Sequence, residues 1–139
     1  MEFLMTQYRY DYQVSFGDCD PAGIVFYPNN FSWFDRAFHS WLGEFGGHEE
    51  ICRRLNAVGI GLMDAGARFQ APLRPGDRIS IFLSVTEWKS RSVSLRYEIM
   101  VKERIAVVGQ EVRGLFRKEG SGIIAGDMNN FRNLVDRGE

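Results

Sequence analysis

Between Tyr8 and Phe16 apolar and polar residues alternate strictly. Tyr8, Tyr10, Tyr12, Val14 and Phe16 fall on one side, and Arg9, Asp11, Gln13 and Ser15 on the other. A period of two predicts a half-buried β-strand. A loop from Gly17 to Tyr27 follows, and then the period changes. Phe31, Phe34, Phe38, Trp41, Leu42 and Phe45 recur at spacings of three and four. This predicts a helix of about four turns with one apolar stripe, opening at Pro28 and stopping at Gly46-Gly47. Proline suits a first helical position, where its missing N–H removes no hydrogen bond. A short second helix is expected over Glu49–Ala57. Its Glu49 and Glu50 near the start and Arg53 and Arg54 near the end complement the helix dipole.

From Gly59 onward the signals are mostly β. Ile60–Phe69 reads as a strand weakened by Gly61 and Gly66. Pro72 and Pro75-Gly76-Asp77 mark a turn. Arg78–Val85 points Ile79, Ile81, Leu83 and Val85 inward. Val93–Val101 does the same with Val93, Leu95, Tyr97, Ile99 and Val101. Ile105–Phe116 carries Val107, Val108, Val112, Leu115 and Phe116. The tail from Asn129 to Glu139 is polar and predicts no element. One strand, one long aromatic helix and then a run of strands predict an α+β fold, an antiparallel sheet wrapped around one long central helix. Such a sheet has exposed edges, and pairing with a second copy would cover them, so at least a dimer is expected. No repeat, linker or low-complexity tract interrupts the chain, and 1–139 reads as a single domain.

Composition narrows the partners. The 139 residues are 45% hydrophobic and 25% charged with a net charge of −1, so no bulk field attracts nucleic acid or an anionic membrane. An anionic ligand must meet a local basic cluster. Two cysteines, Cys19 and Cys52, frame no disulfide scaffold, and without a Cys/His ligand pattern no metal is expected. The start Met1-Glu2-Phe3-Leu4-Met5-Thr6 lacks the basic and apolar regions of a signal peptide. No apolar run approaches the ~20 residues of a membrane span. A cytoplasmic location is the expectation.

The chemistry concentrates in Phe16-Gly17-Asp18-Cys19-Asp20-Pro21-Ala22-Gly23-Ile24-Val25-Phe26-Tyr27-Pro28. Two carboxylates sit in a tight loop that feeds a helix start, whose free N–H groups gather partial positive charge. One group that attacks or deprotonates, beside another that holds an oxyanion, makes a hydrolytic site. Read as residues alone, Asp20 is better accounted for as a loop cap. Asp18 is assigned to the turn. Cys19 has no adjacent base to activate it and reads as small filler.

This run closely resembles the signature of the 4-hydroxybenzoyl-CoA thioesterases of the hotdog fold. It matches at Gly17 through Val25, at Tyr27 and at Pro28, and the resemblance continues through Trp33, Asp35, Pro72, Gly76-Asp77 and Glu87-Trp88. The resemblance implies an acyl-CoA substrate, a site at a homodimer interface, a homodimer or homotetramer, and no cofactor. It makes Asp20 the catalytic nucleophile or general base and gives the Tyr27 backbone N–H the thioester carbonyl. It sets Asp35 against a phenolic hydroxyl of the acyl group. It assigns the nucleotide end of CoA to Lys89, Arg91 and Ser92, with Ser90 where family members tend to carry another basic residue. The expected reaction is hydrolysis of an aromatic acyl-CoA such as 4-hydroxybenzoyl-CoA. Two alternatives stay open. Short-chain aliphatic acyl-CoA thioesterases usually read G-V-V-Y-H where this chain has Gly23-Ile24-Val25-Phe26-Tyr27. A non-catalytic acyl-thioester binding module could also reuse the fold.

Overall fold

The computed structural model describes residues 5–137. The expectation about the leading residues Met1–Leu4 lies outside them. The predicted long helix is α1 (Pro28–Leu42), with Pro28 in its first turn. Its buried face holds Trp33, Phe34, Ala37, Phe38, Trp41 and Leu42. Trp33 joins the predicted stripe from the side, packed on Tyr12 with ring centroids 5.4 Å apart. Phe31 and Phe45 are only half-buried. One 3-10 turn over Gly43–Phe45 follows, and Gly46 at φ 101° ends it. A left-handed φ of this kind favours glycine. The second helix, α2 (His48–Leu55), stops at Asn56, which also adopts the left-handed conformation.

Six strands form one antiparallel sheet: β1 (Thr6–Gln13), β2 (Gly59–Phe69), β3 (Arg78–Trp88), β4 (Ser92–Val101), β5 (Arg104–Glu119) and β6 (Gly122–Ala125). Their order is β1-β3-β4-β5-β2, and β6 pairs with the far end of β5. The sheet's inner face covers α1, with Ile79, Ile81, Leu83, Val93, Leu95, Tyr97, Ile99 and Val101 buried beneath it. Alternation holds along the whole of β4. On β3 it breaks after Leu83: the register slips between Val85 and Glu87, and Val85 is half-buried.

Two expectations need correction, at Phe16 and in the tail, and β5 holds an arrangement that none described. Phe16 does not continue the inward face of β1. The strand ends at Gln13, and Phe16 enters a 3-10 turn that leaves it 87% exposed. On β5 the valines at 108 and 112 are half-buried, while Glu111 and Arg113 occupy the buried side. The tail forms a third helix, α3 (Met128–Arg137). Its Met128 and Phe131 are fully buried, and Phe131 packs edge-on against Trp41 and tilted against Trp88, at 6.0 and 5.8 Å.

Gly109 of β5 decides how closely α1 approaches the sheet. It pairs with Tyr97 of β4. The Phe34 ring lies over it, stacked on Tyr97 at 4.7 Å and 21°. A Cβ at Gly109 would overlap Phe34, itself fully buried. Gly109→Ala is therefore expected to destabilise the fold by about 1–3 kcal/mol through overpacking. Denaturant unfolding of the variant checks this, and an unchanged midpoint would refute the packing argument.

Candidate active site

The loop between β1 and α1 is closed by its own backbone. Val14 is buried; its N–H donates to Asp77 C=O at 2.9 Å, and Gly76 N–H donates to Val14 C=O at 2.8 Å. Asp18 Oδ2 accepts from the Ser15 N–H at 2.9 Å and from the Tyr12 hydroxyl at 2.8 Å. That hydrogen bond to the carboxylate holds the Tyr12 phenol above its ordinary pKa. The Asp18 carbonyl accepts from Phe26 N–H and from Asn29 Nδ2, at 2.9 and 2.8 Å. Asp18 is thus the turn residue that its position suggested, and it ties the loop to the first turn of α1. Cys19 bridges Val25, Asp20 N–H donates to Ile24 C=O, and Val25 N–H donates to Leu73 C=O. The connection between β2 and β3 is therefore the wall against which the loop is sewn. Cys19 is half-buried, and burial, with Asp18, Asp20 and Asp77 nearby, raises its thiol pKa. A thiol so held is a poor nucleophile.

Asp20 is half-buried. Its Oδ1 accepts from the Ala22 N–H at 2.9 Å, an Asx turn that sets the carboxylate's orientation. Among the described residues Oδ2 has no hydrogen-bond partner. The same is true of the Tyr27 N–H at the threshold of α1, where the next amides, Asn29 and Asn30, donate to Phe26 and Tyr27 carbonyls. A free carboxylate oxygen and a free helix-start donor therefore belong to one locked loop. Beside the Tyr27 end of the loop opens a cavity of about 260 Å³, lined chiefly by Ile24, Val25, Tyr27, Phe69 and Leu73, with Asn30 at its helix wall. The Tyr27 side chain is 61% exposed, so only its backbone is committed to this place.

Asp35 stands on α1 in a different environment. Its Oδ1 accepts from Arg113 Nη2 at 3.0 Å, and His39 Nε2 lies 3.5 Å away. Arg113 in turn donates from Nε to Glu111 Oε1 at 2.8 Å, and Tyr97 donates its hydroxyl to the same oxygen at 2.7 Å. The guanidinium also lies 4.0 Å from the Phe38 ring centroid. Burial opposes the charge on Arg113, but the bonds and charge of Glu111 outweigh it and hold its pKa above the ordinary value. Burial first, and then the Glu111 charge, push the Tyr97 phenol well above its ordinary range.

Lys89 and Arg91 occupy the exposed turn between β3 and β4, with Ser92 half-buried at the start of β4. Lys89 N–H donates to Ser92 C=O at 2.8 Å, and Lys89 Nζ lies 3.6 Å from Glu87. α3 braces this turn: Met128 N–H donates to Ser90 C=O at 2.8 Å, and Arg132 covers the Trp88 ring. The turn and the Asp20 loop lie at opposite ends of β3. At ~3.3 Å per residue, the strand holds them roughly 30 Å apart. One copy of the chain does not bring them together.

Residues 14–125 match the model of the thioesterase-like superfamily. The chain belongs to this superfamily of hotdog-fold enzymes. The 4-hydroxybenzoyl-CoA thioesterase of Pseudomonas sp. (strain CBS-3) is 30% identical over 63% of this chain and 63% of its own length. The aligned segment thus spans a little under two thirds of that relative. A 1,4-dihydroxy-2-naphthoyl-CoA hydrolase of Synechocystis is 29% identical over 71% of this chain and 72% of its own. Among solved structures, a gentisyl-coenzyme A thioesterase is 31% identical, covers 89% of this chain and 98% of its own, and superposes with a TM-score of 0.76.

Within this thioesterase-like framework the cluster of Glu111, Arg113 and Tyr97 was not foreseen. Its members are scattered over two strands, and only the β5 alternation, broken by two inward charges, carried a trace of it. His48 belongs to the same region, its ring 5.4 Å from that of His39. Its Nε2 accepts from the Ile60 N–H at 3.1 Å. Burial, and then the nearby His39 and Arg113, lower its pKa below the ordinary 6.5. The folded protein therefore takes up the His48 proton less readily than the unfolded chain. This contribution to stability is full above pH 6.5 and is lost as pH falls toward the folded value. His48→Gln keeps an acceptor for Ile60. Its unfolding midpoint is expected to fall less steeply than the parent's between pH 7.5 and 5.5; parallel curves would exclude His48 as the source.

Proposed function

We propose that the protein hydrolyses an acyl-CoA thioester of an aromatic acid to the free acid and CoA. The observation that carries this reading is that one locked loop holds both a free Asp20 oxygen and a free Tyr27 N–H, the latter beside an apolar cavity. The Tyr27 N–H would receive the thioester carbonyl oxygen as it gains negative charge, reinforced by the positive end of α1. Asp20 would attack the carbonyl carbon or deprotonate the attacking water, and the CoA thiolate would leave. The cavity would take the acyl group. The aromatic choice rests on the relatives named above, whose thioesters carry hydroxylated aromatic acids in each case.

We further propose that Lys89 and Arg91, with Ser92, bind the nucleotide end of CoA from a second copy of the chain. Basic side chains at a strand end supply charge-assisted bonds to its phosphates. Edge strand β2 exposes Leu62, Met63 and Phe69. Antiparallel pairing of two such edges about a two-fold axis would set the Asp20 end of one copy beside the Lys89 end of the other. A homodimer, or a tetramer built from it, follows from this arrangement. Asp35, whose Oδ1 alone is engaged by Arg113 and His39, would keep Oδ2 for a phenolic hydroxyl of the acyl group.

Two measurements test the reading. Release of free thiol from 4-hydroxybenzoyl-, benzoyl-, phenylacetyl- and short aliphatic CoA esters should be fast for the aromatic esters. It should fall roughly 10²- to 10⁴-fold in Asp20→Asn. Turnover confined to aliphatic esters would move the substrate class, and binding without turnover would leave a binding module. In the second, Lys89→Ala with Arg91→Ala should raise KM for the CoA ester about tenfold or more and leave the matching pantetheine ester unchanged. An equal effect on both esters would remove these residues from the nucleotide site.

A further inference from the structure

α3 lies beyond the residues that match the superfamily model, yet it is fastened to the turn between β3 and β4. Its Met128 N–H donates to the Ser90 C=O, and the fully buried Phe131 packs against the Trp88 ring. The next two amides of α3 are spent: Asn129 N–H donates to Asp127 Oδ1, and Asn130 N–H to the Asp127 C=O. α3 therefore offers this turn a side chain rather than a free helix terminus. Arg132 stands four residues after Met128, on the same face of the helix and ~6 Å further along it. Its guanidinium carbon lies 5.7 Å from the centre of the Trp88 ring, and Trp88 directly precedes Lys89. The Arg132 side chain is exposed, and its Nε lies 3.6 Å from Asp136 Oδ2. Among the described residues neither of its Nη atoms has a hydrogen-bond acceptor.

We propose that Arg132 is a third phosphate-binding cation of the nucleotide site, acting beside Lys89 and Arg91 on the phosphates of CoA. This rests on the acyl-CoA reading above and extends that site to a helix outside the matched region. The Trp88 ring attracts the guanidinium through its π-face and offers it no acceptor atom, so the contact leaves the N–H fork unspent. That fork matches two oxygens of a phosphate, and charge strengthens both bonds. Trp88 also restrains the long side chain before a ligand arrives, so less freedom is lost on binding. Asp136 is a weak competitor: it meets Nε beyond hydrogen-bond length, in an exposed pair screened by solvent. Glu87 stands in the same relation to Lys89, 3.6 Å from its Nζ. The turn and the helix thus present cations whose own partners hold them loosely.

The test measures calorimetric affinity for free CoA and 3′-dephospho-CoA, and KM for 4-hydroxybenzoyl-CoA and the matching pantetheine ester. The proteins compared are the parent, Arg132→Gln and Arg132→Lys. Gln keeps a long side chain beside Trp88 and removes the charge. It should weaken CoA and raise KM for the CoA ester by roughly tenfold, with kcat unchanged. No such loss should appear with the pantetheine ester, which carries no nucleotide. Arg132→Lys should recover part of the loss, because it restores the charge without the fork. A loss that vanishes with 3′-dephospho-CoA assigns Arg132 to the 3′-phosphate, and one that persists assigns it to the pyrophosphate. Unchanged CoA affinity in Arg132→Gln overturns the proposal, and so does an equal loss for both esters, which would mark damage through Trp88. The Lys89→Ala, Arg91→Ala double variant separates this role from the reading beneath it. If that variant loses CoA affinity and Arg132→Gln does not, only the role of Arg132 is lost. If neither CoA nor any CoA ester binds the parent, the acyl-CoA reading fails and this inference falls with it.

Discussion

The close approach of α1 to β5 governs the rest of the structure. Phe34 reaches the sheet because Gly109 presents no side chain, and Tyr97 completes the seat by stacking against the same ring. Dispersion and burial reward this contact only at short range, so the helix axis sits close over the sheet. Everything at the N-terminal end of α1 inherits that position. The Tyr27 N–H, the Asn29 bond to Asp18 and the cavity wall at Asn30 are all within the first turn or just before it. A helix displaced outward would carry the donor away from the Asp20 loop, which is fastened separately to Leu73 and Asp77.

Apolar contact fixes depth better than it fixes rotation, and the polar cluster on β5 supplies what is missing. Arg113 is 3% exposed in its side chain, as is Glu111, and the pair is joined at 2.8 Å. Burying two charges costs free energy that the pairing only offsets, so this bridge is weak support for stability. Its bonds, however, are directional. The guanidinium spans from Glu111 on the sheet to Asp35 on the helix and lies over the Phe38 ring between them. Slippage of α1 by one residue would break the link to Asp35, although an aromatic stripe could re-form. The cluster therefore acts on the site through the orientation of the helix.

The fold was legible wherever one period ran unbroken. β4 alternates without a fault over Ser92–Val101, and the spacing of Phe34, Phe38 and Trp41 marked α1. Legibility failed where a second requirement interrupted the period. On β5 the inward positions hold Gly109, Glu111 and Arg113, chosen for close approach and for charge, so no apolar alternation marks its inner face. α3 escaped notice because its buried Met128, Phe131 and Val135 are spread among Asn, Arg and Asp. The site divides in the same way. The Asp20 loop is contiguous and could be read as a string. The cluster of Tyr97, Glu111 and Arg113 could not, since its members meet only in space.

The two readings that the sequence left open for Asp20 are not rivals in the structure. A carboxylate has two oxygens and about four acceptor sites. Oδ1 is spent on the Ala22 N–H and serves as the loop cap. That bond is also what orients Oδ2, because the carboxylate is planar and its remaining freedom is removed by the Asx turn. An Asp in a floppier loop would lose orientation entropy at each encounter with substrate, whereas this one has lost it on folding. Asp18 shows the contrast. Its Oδ2 takes two hydrogen bonds and its carbonyl two more. The first acidic residue of the run builds the loop, and the second uses half of its capacity for structure. The remaining half, aimed by that structure, is what the proposed chemistry requires.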